Sequence, residues 1–251
     1  EFMQPIKIRL WAIVATISAV LLLGGVPDTA TSQAACTVGT PTAFSYSGSP
    51  VAIPDASDLS GNNPGAQVAA PLTVSGLVGT VYDVNVSIDG TVCSATAGST
   101  TVGLNHTFVN DLVIALQSPD GTVVTVINHT DGGGNNFCQT VLDDESAGPS
   151  IQSVVTANAP FIGSFTPNAA LSTFDGETAN GTWSLLAQDF FAQDTGSIRA
   201  WTVTITPATC PVATSRPIPT LGEWALLLFS ALFAGLVWWR ERLGRQRLYK
   251  N

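Results

Sequence analysis

The chain has 251 residues, of which 45% are hydrophobic and only 11% charged, with a formal net charge of −9. The charges are segregated: residues 36–206 hold 14 of the 18 acids and a single cation, Arg199, while seven of the other eight cations flank two apolar runs near the chain ends. This distribution excludes nucleic-acid binding, because phosphates are held mainly by Lys and Arg and the middle segment has no Lys, and it argues against a cytosolic soluble enzyme.

Glu1-Phe2 precede the first Met and are set aside as upstream residues. From Met3 the chain runs through Lys7 and Arg9, an apolar stretch Leu10 to Leu23, and a polar stretch ending Ser32-Gln33-Ala34-Ala35. That order predicts a helical secretory signal peptide over residues 1–35, cut by signal peptidase after Ala34 or Ala35. Cys36 lies too far from the apolar run, behind Gln33, for a good lipobox, so ordinary cleavage is expected. Residues 36–69, rich in Ser, Pro, Ala and Gly, read as a first edge strand followed by a loose loop.

From residue 70 to 206 the pattern is that of short strands. Val84, Val86 and Ile88 alternate with polar residues, which predicts a strand with one wet face. Leu112 to Leu116 leads into Ser118-Pro119-Asp120-Gly121, a tight turn, and Thr122 to Ile127 returns as the hairpin partner. Trp183 and Leu185 pattern one later strand, and Trp201, Val203 and Ile205 the last, with both Trp side chains expected in the core. The fold class predicted is all-β, a jelly-roll-like β-sandwich.

The four cysteines form an even set in an exported domain, which favours two disulfides. Of the three possible pairings, the one favoured joins Cys36 to Cys210, which flank the sandwich, and Cys93 to Cys138, which lie in loops. No catalytic triad is identifiable: His106 and His129 are the only histidines, and no nucleophile elbow is present. His106 reads as a hydrogen-bonding residue at a strand entry, and no enzyme is expected.

Within this segment, His106-Thr107-Phe108-Val109-Asn110-Asp111-Leu112, Ser118-Pro119-Asp120-Gly121-Thr122, Asp143-Asp144-Glu145 and Phe161 to Pro167 occur in order. They are followed by Leu171 to Gly176, Asn180-Gly181-Thr182-Trp183 and Asp194-Thr195-Gly196 ahead of Trp201. This series resembles the P domain of proprotein convertases, the P/Homo B domain, over about Ala70 to Thr206. Two departures stand out: Asn110, a residue that tolerates a left-handed turn, replaces the family's frequent Gly, and Cys93 to Gly103 looks like an insertion. The resemblance implies a non-catalytic jelly roll that in the family follows and stabilises a subtilisin-like catalytic domain. Fourteen acids facing one cation repel one another, and a hard divalent cation removes part of that cost. Charge and resemblance together therefore point to calcium, with Asp111, Asp143, Asp144, Glu145, Asp175 and Asp194 as candidate ligands.

A linker is expected over residues 207–217. Beyond it stand Ile218-Pro219-Thr220-Leu221, Trp224, an apolar run Ala225 to Trp239, and Arg240, Arg242, Arg245, Arg247 and Lys250. The run is short for a transmembrane helix, which takes about 20 residues, but flanking Trp and Arg can reach the interfaces. Residues 218–251 resemble the IPTL-CTERM sorting signal, which implies processing by an exosortase-type protease. The chain is then expected first as an inner-membrane intermediate with a cytoplasmic C-terminus, held through its C-terminal helix, and afterwards at the cell surface or outside the cell.

The function expected is that of an exported surface or released binding or structural module, its partner an unknown surface protein or envelope polymer. The alternative is an accessory domain for a separately encoded subtilisin-like protease.

Overall fold

A computed structural model describes residues 35–211 and a helix at 221–248, with side chains of that helix described at 227–240 and 242. The expected signal peptide, but for Ala35, and Ile218, Pro219 and Thr220 of the sorting signal lie outside the described residues, as do the side chains of Leu221 and Trp224. The described residues fall into two compact units that divide between Pro211 and Val212.

The first unit is all-β. Its strands, in chain order, are β1 (Thr37–Val38), β2 (Thr42–Ser45), β3 (Val51–Ile53), β4 (Val68–Val74), β5 (Thr80–Ile88), β6 (Leu104–His106) and β7 (Leu112–Gln117). They continue as β8 (Val123–Asn128), β9 (Thr140–Leu142), β10 (Gly163–Phe165), β11 (Gly181–Asp189), β12 (Gly196–Ile198) and β13 (Trp201–Thr209). A six-stranded sheet runs β1-β13-β5-β9-β10 with β2 also on β13, a four-stranded sheet runs β4-β11-β7-β8, and a three-stranded sheet runs β3-β12-β6.

The alternation in β5 does what its residues dictate, burying Val84, Val86 and Ile88 and leaving Asp83, Asn85 and Ser87 half-buried. The expected hairpin forms between β7 and β8. Ser118 N donates to Thr122 O across the turn, and Gly121 takes φ +91°, a conformation that glycine reaches without steric cost. Trp183 and Trp201 are fully buried, and Phe174 packs edge-on to Trp183 at 5.2 Å between centroids. One hydrophobic core takes side chains from all three sheets.

Residues 36–69 hold more strand than one edge strand and a loose loop. They contribute β1 and β2, which pair with β13, β3, which pairs with β12, and the first two residues of β4, Val68 and Ala69, which pair with β11, because each short apolar stretch finds an unpaired strand edge. The chain also enters its linker later than expected, since Pro207, Ala208 and Thr209 complete β13 across a register shift at Thr206/Pro207. Both expected disulfides are present: Cys36–Cys210 closes the two ends of the unit, and Cys93–Cys138 ties the loop after β5 to the segment ahead of β9. Gly103, at the end of that loop, has no room for a side chain, since a Cβ would stand 2.2 Å from Asp89 O.

The second unit contains helix α1 (Leu221–Leu248). Its described apolar side chains from Leu227 to Trp239 are exposed, and the Arg242 guanidinium sits 4.4 Å from the centroid of the Trp238 ring. Among the described residues no helix is long and apolar enough to cross a membrane, and the start of the expected transmembrane helix, ahead of Leu227, lies outside the described side chains.

Candidate functional site: two acidic recesses

The six carboxylates singled out by sequence do not form one site. The structure divides them between two recesses and assigns one of them another role.

The recess with the more deeply buried acids is built where β6 and β11 end and β7 begins. His106 closes β6 and is fully buried, with Nδ1 2.9 Å from Phe108 O and Nε2 3.1 Å from Asp189 Oδ2. Both ring nitrogens are engaged, which leaves neither free for proton transfer to a substrate. Asp189, the last residue of β11, also accepts from Phe191 N through Oδ1. Asp111 ends a 3₁₀ turn, Val109–Asp111, that feeds β7. Asn110 lies inside that turn and is not left-handed, so the absence of the family's Gly there costs no strain. Asp194 accepts from the Thr107 hydroxyl (2.6 Å), and Asp55 accepts from Gln193 N (3.2 Å).

Asp111 is 5% exposed, and no N–H or hydroxyl among the described residues donates to its carboxylate; its hydrogen-bonding neighbour is the Asp194 carboxyl. Burial first, and then the charges of Asp189, Asp194 and Asp55, push the Asp111 carboxyl up to about 7. Burial also raises Asp189, against the lowering effect of the Phe191 amide and His106. The recess opens to solvent between Leu59, Phe108 and Phe191, with Asp111 and Asp194 among its lining residues.

The second recess is an open cleft lined by Tyr82, Asp83, Asn85, Asp143, Glu145, Asp175 and Thr206. Asp83 and Asn85 come from the wet face of β5, Asp143 and Glu145 from the turn after β9, and Asp175 from the end of the 3₁₀ turn Leu171–Phe174. Glu145 N donates to Asp143 Oδ1 (2.8 Å) and the Thr206 hydroxyl to Asp83 Oδ2 (3.3 Å). Asp83 and Asp175 are raised, by burial first and by neighbouring carboxylates second, and Glu145 is raised by its hydrogen bond to Asp143.

Asp144 lines neither recess. Its two oxygens accept from Leu171 N (2.9 Å) and Ser172 N (2.8 Å), which fastens the start of the Leu171–Phe174 turn. Asp55, Asp83 and Asp189 were missed as site residues. The wet-face position of Asp83 marked it in the strand pattern, whereas Asp55 and Asp189 reach the site only through tertiary pairing.

Calcium takes six to eight oxygens, from carboxylates, carbonyls and amides. Among the described residues no group of three His, Cys, Asp or Glu side chains could hold a metal ion by itself. The recess between Leu59, Phe108 and Phe191 is lined by Asn110, Asp111, Gln193 and Asp194, residue types that carry oxygen donors of the kind calcium takes.

Comparison with known proteins finds two family matches in the chain. Residues 97–205 match the proprotein convertase P-domain and residues 216–247 the IPTL-CTERM motif, so the chain carries both. It is 31% identical over 143 residues to leupeptin-inactivating enzyme 1 of Streptomyces exfoliatus, covering 57% of this chain and 23% of that protein. It is 29% identical over 105 residues to a calcium-dependent protease of Trichormus variabilis, covering 41% and 13% respectively. The chain thus spans less than a quarter of the curated relatives it matches. A crystal structure of the serine protease of Aeromonas sobria aligns at 18% identity and a TM-score of 0.36, covering 69% of this chain and 27% of the protease. The P-domain and the sorting motif fit an exported accessory domain, and the relatives are protease-associated.

Proposed function

We propose that residues 36–209 form an exported, non-catalytic binding or structural module, a jelly-roll P domain stabilised by calcium in its deeper recess. The observation that carries this reading is Asp111: a carboxylate 5% exposed, without a donor, facing Asp194 with Asp55 and Asp189 behind it. A bound calcium would offset that repulsion, with Asp111 and Asp194 as first candidates and the Asn110 and Gln193 amides completing the oxygen set. Asp143, Glu145 and Asp175, joined by Asp83, are the donors that the open cleft offers. The name of the Trichormus relative, a calcium-dependent protease, supports the choice of ion.

The IPTL-CTERM motif supports export, a membrane-held intermediate with its basic tail inside, removal of the tail by an exosortase-type protease, and delivery to the surface or the medium. The alternative reading, an accessory domain for a separately encoded subtilisin-like protease, is favoured by the kind of relatives found, in which this region is a minor part of the length. Co-purification with such a protease, and a shift in the protease's heat stability on removal of this chain, would select it.

The calcium reading is tested by thermal unfolding of the full chain in millimolar calcium and in EDTA. The expected result is a rise in Tm by several degrees, as binding to the folded state alone requires. Identical curves would overturn it.

A further inference from the structure

Above the carboxylates of the deeper recess stands an apolar rim that folding alone does not explain. Leu59 is 60% exposed and Phe108 43% exposed, with Phe191 beside them. The loop that carries Leu59 is held in place. Asp58 Oδ1 accepts from Ser60 N (2.8 Å) and Ser60 Oγ (2.6 Å), and its Oδ2 accepts from the Asn63 amide. Ser57 N donates to Asn63 O, Ala192 N to Asp58 O, and Gly61 packs on the Phe191 ring. Two large apolar side chains, with the half-buried Phe191 ring beside them, are thereby presented by hydrogen-bonded backbone, at little further entropic cost to a partner that covers them.

Electrostatics selects the partner. Asp55, Asp111, Asp189 and Asp194 lie together below the rim, and residues 36–206 offer Arg199 as their one Lys or Arg. A divalent cation would halve the charge of four carboxylates and leave it negative. A second copy of the chain, with the same acidic middle, is repelled, as is an anionic polymer.

We infer that the groove between Leu59, Phe108 and Phe191, with Asp111 and Asp194 at its floor, docks a basic protein segment that places one apolar side chain among the three and a Lys or Arg over the carboxylates. This rests on the reading of the domain as a binding module and names the chemistry of its partner. The aliphatic stem of the basic residue lies along the rim while its head reaches the acids.

The test uses the full chain and two fluorescent probe peptides, one with a Phe between two Arg and one with a Phe between two Glu, followed by anisotropy in calcium and in EDTA. The Arg probe is expected to bind, more weakly as salt is raised, and the Glu probe not to bind. Phe108→Ala and Leu59→Ser should each weaken binding about tenfold, as loss of a central anchor does, whereas Tyr82→Ala, in the other cleft, should not. Leu59→Ser removes an exposed side chain, so its unfolding curve should match that of the unaltered chain. Equal binding of both probes, or undiminished binding by a normally folded Leu59→Ser chain, would overturn the inference. So would capture of the chain by a neutral polysaccharide through the same two residues in place of the Arg probe. A chain that binds the Arg probe through Leu59 but melts identically with and without calcium disproves the calcium reading alone. One that calcium stabilises but the Arg probe does not touch disproves the groove alone.

Discussion

Asp111 shows how far one residue's behaviour departs from its type. An ordinary aspartate gains from exposure; this one ends a short turn and is lowered into a recess with three others. Because its folded carboxyl is raised from 3.8 to about 7, the folded state holds a proton there that the unfolded chain has already released. Without calcium, stability from this residue is therefore present below the ordinary carboxylate range and declines as pH rises through about 7. Asp83 and Asp175, raised by the same two causes, add to the same slope. Asp111→Asn should flatten the decline in EDTA and leave the domain about 1–2 kcal/mol more stable at pH 8, water at the groove mouth screening the rest. The same variant should lose the calcium-dependent rise in Tm. Chemical unfolding across pH measures both, and an unchanged slope would remove Asp111 from the site.

At the scale of elements, the turn after β9 separates structure from chemistry within three consecutive acids. Asp143 and Glu145 face the open cleft, and Asp144 turns away to hold the amides of Leu171 and Ser172. A side chain that accepts from the first amides of a turn acts as a cap, and its loss costs about 1 kcal/mol. Asp144→Ala should lower stability by that amount and leave the calcium-induced change in Tm as it was; a reduced calcium response would return Asp144 to the ligand set. The edge of β8 shows the same use of side chains on backbone: Gln152 bonds both the N–H and the carbonyl of Asn128, and the Asn168 amide group donates to Thr125 O while its backbone N–H donates to Val126 O. An edge so covered is closed to strand addition.

For the whole molecule, the covalent frame is set by the two disulfides. The Cys36–Cys210 bridge joins residues 174 apart in sequence and encloses every strand of the first unit, so the cuts expected at both ends fall outside it. The intact mass of the protein recovered from outside its native cell should correspond to a chain that starts at Ala35 or Cys36 and stops near Ile218. A mass retaining everything through Asn251 would overturn the sorting reading and leave the calcium and groove predictions where they are.

Sequence by itself determined the all-β class, the β7–β8 hairpin, the wet face of β5, the buried Trp183 and Trp201 and the P-domain and IPTL-CTERM matches. These follow from local alternation, turn chemistry and motif order, which are written along the chain. Both disulfides were also named correctly, on the placement of the cysteines around the sandwich. The division of the acids was decided only by the tertiary structure: Asp55, Asp111, Asp189 and Asp194 come from four separate stretches, and only the pairing of β3 and β6 with β12 and of β7 with β11 brings them together. Consecutive acids such as Asp143 to Glu145 look alike in sequence, and what separates them is which one finds an amide to accept from. The exposed Leu59 and Phe108 were equally illegible, because hydrophobic residues announce burial in a sequence and only the folded loops show that these face water beside a half-buried Phe191.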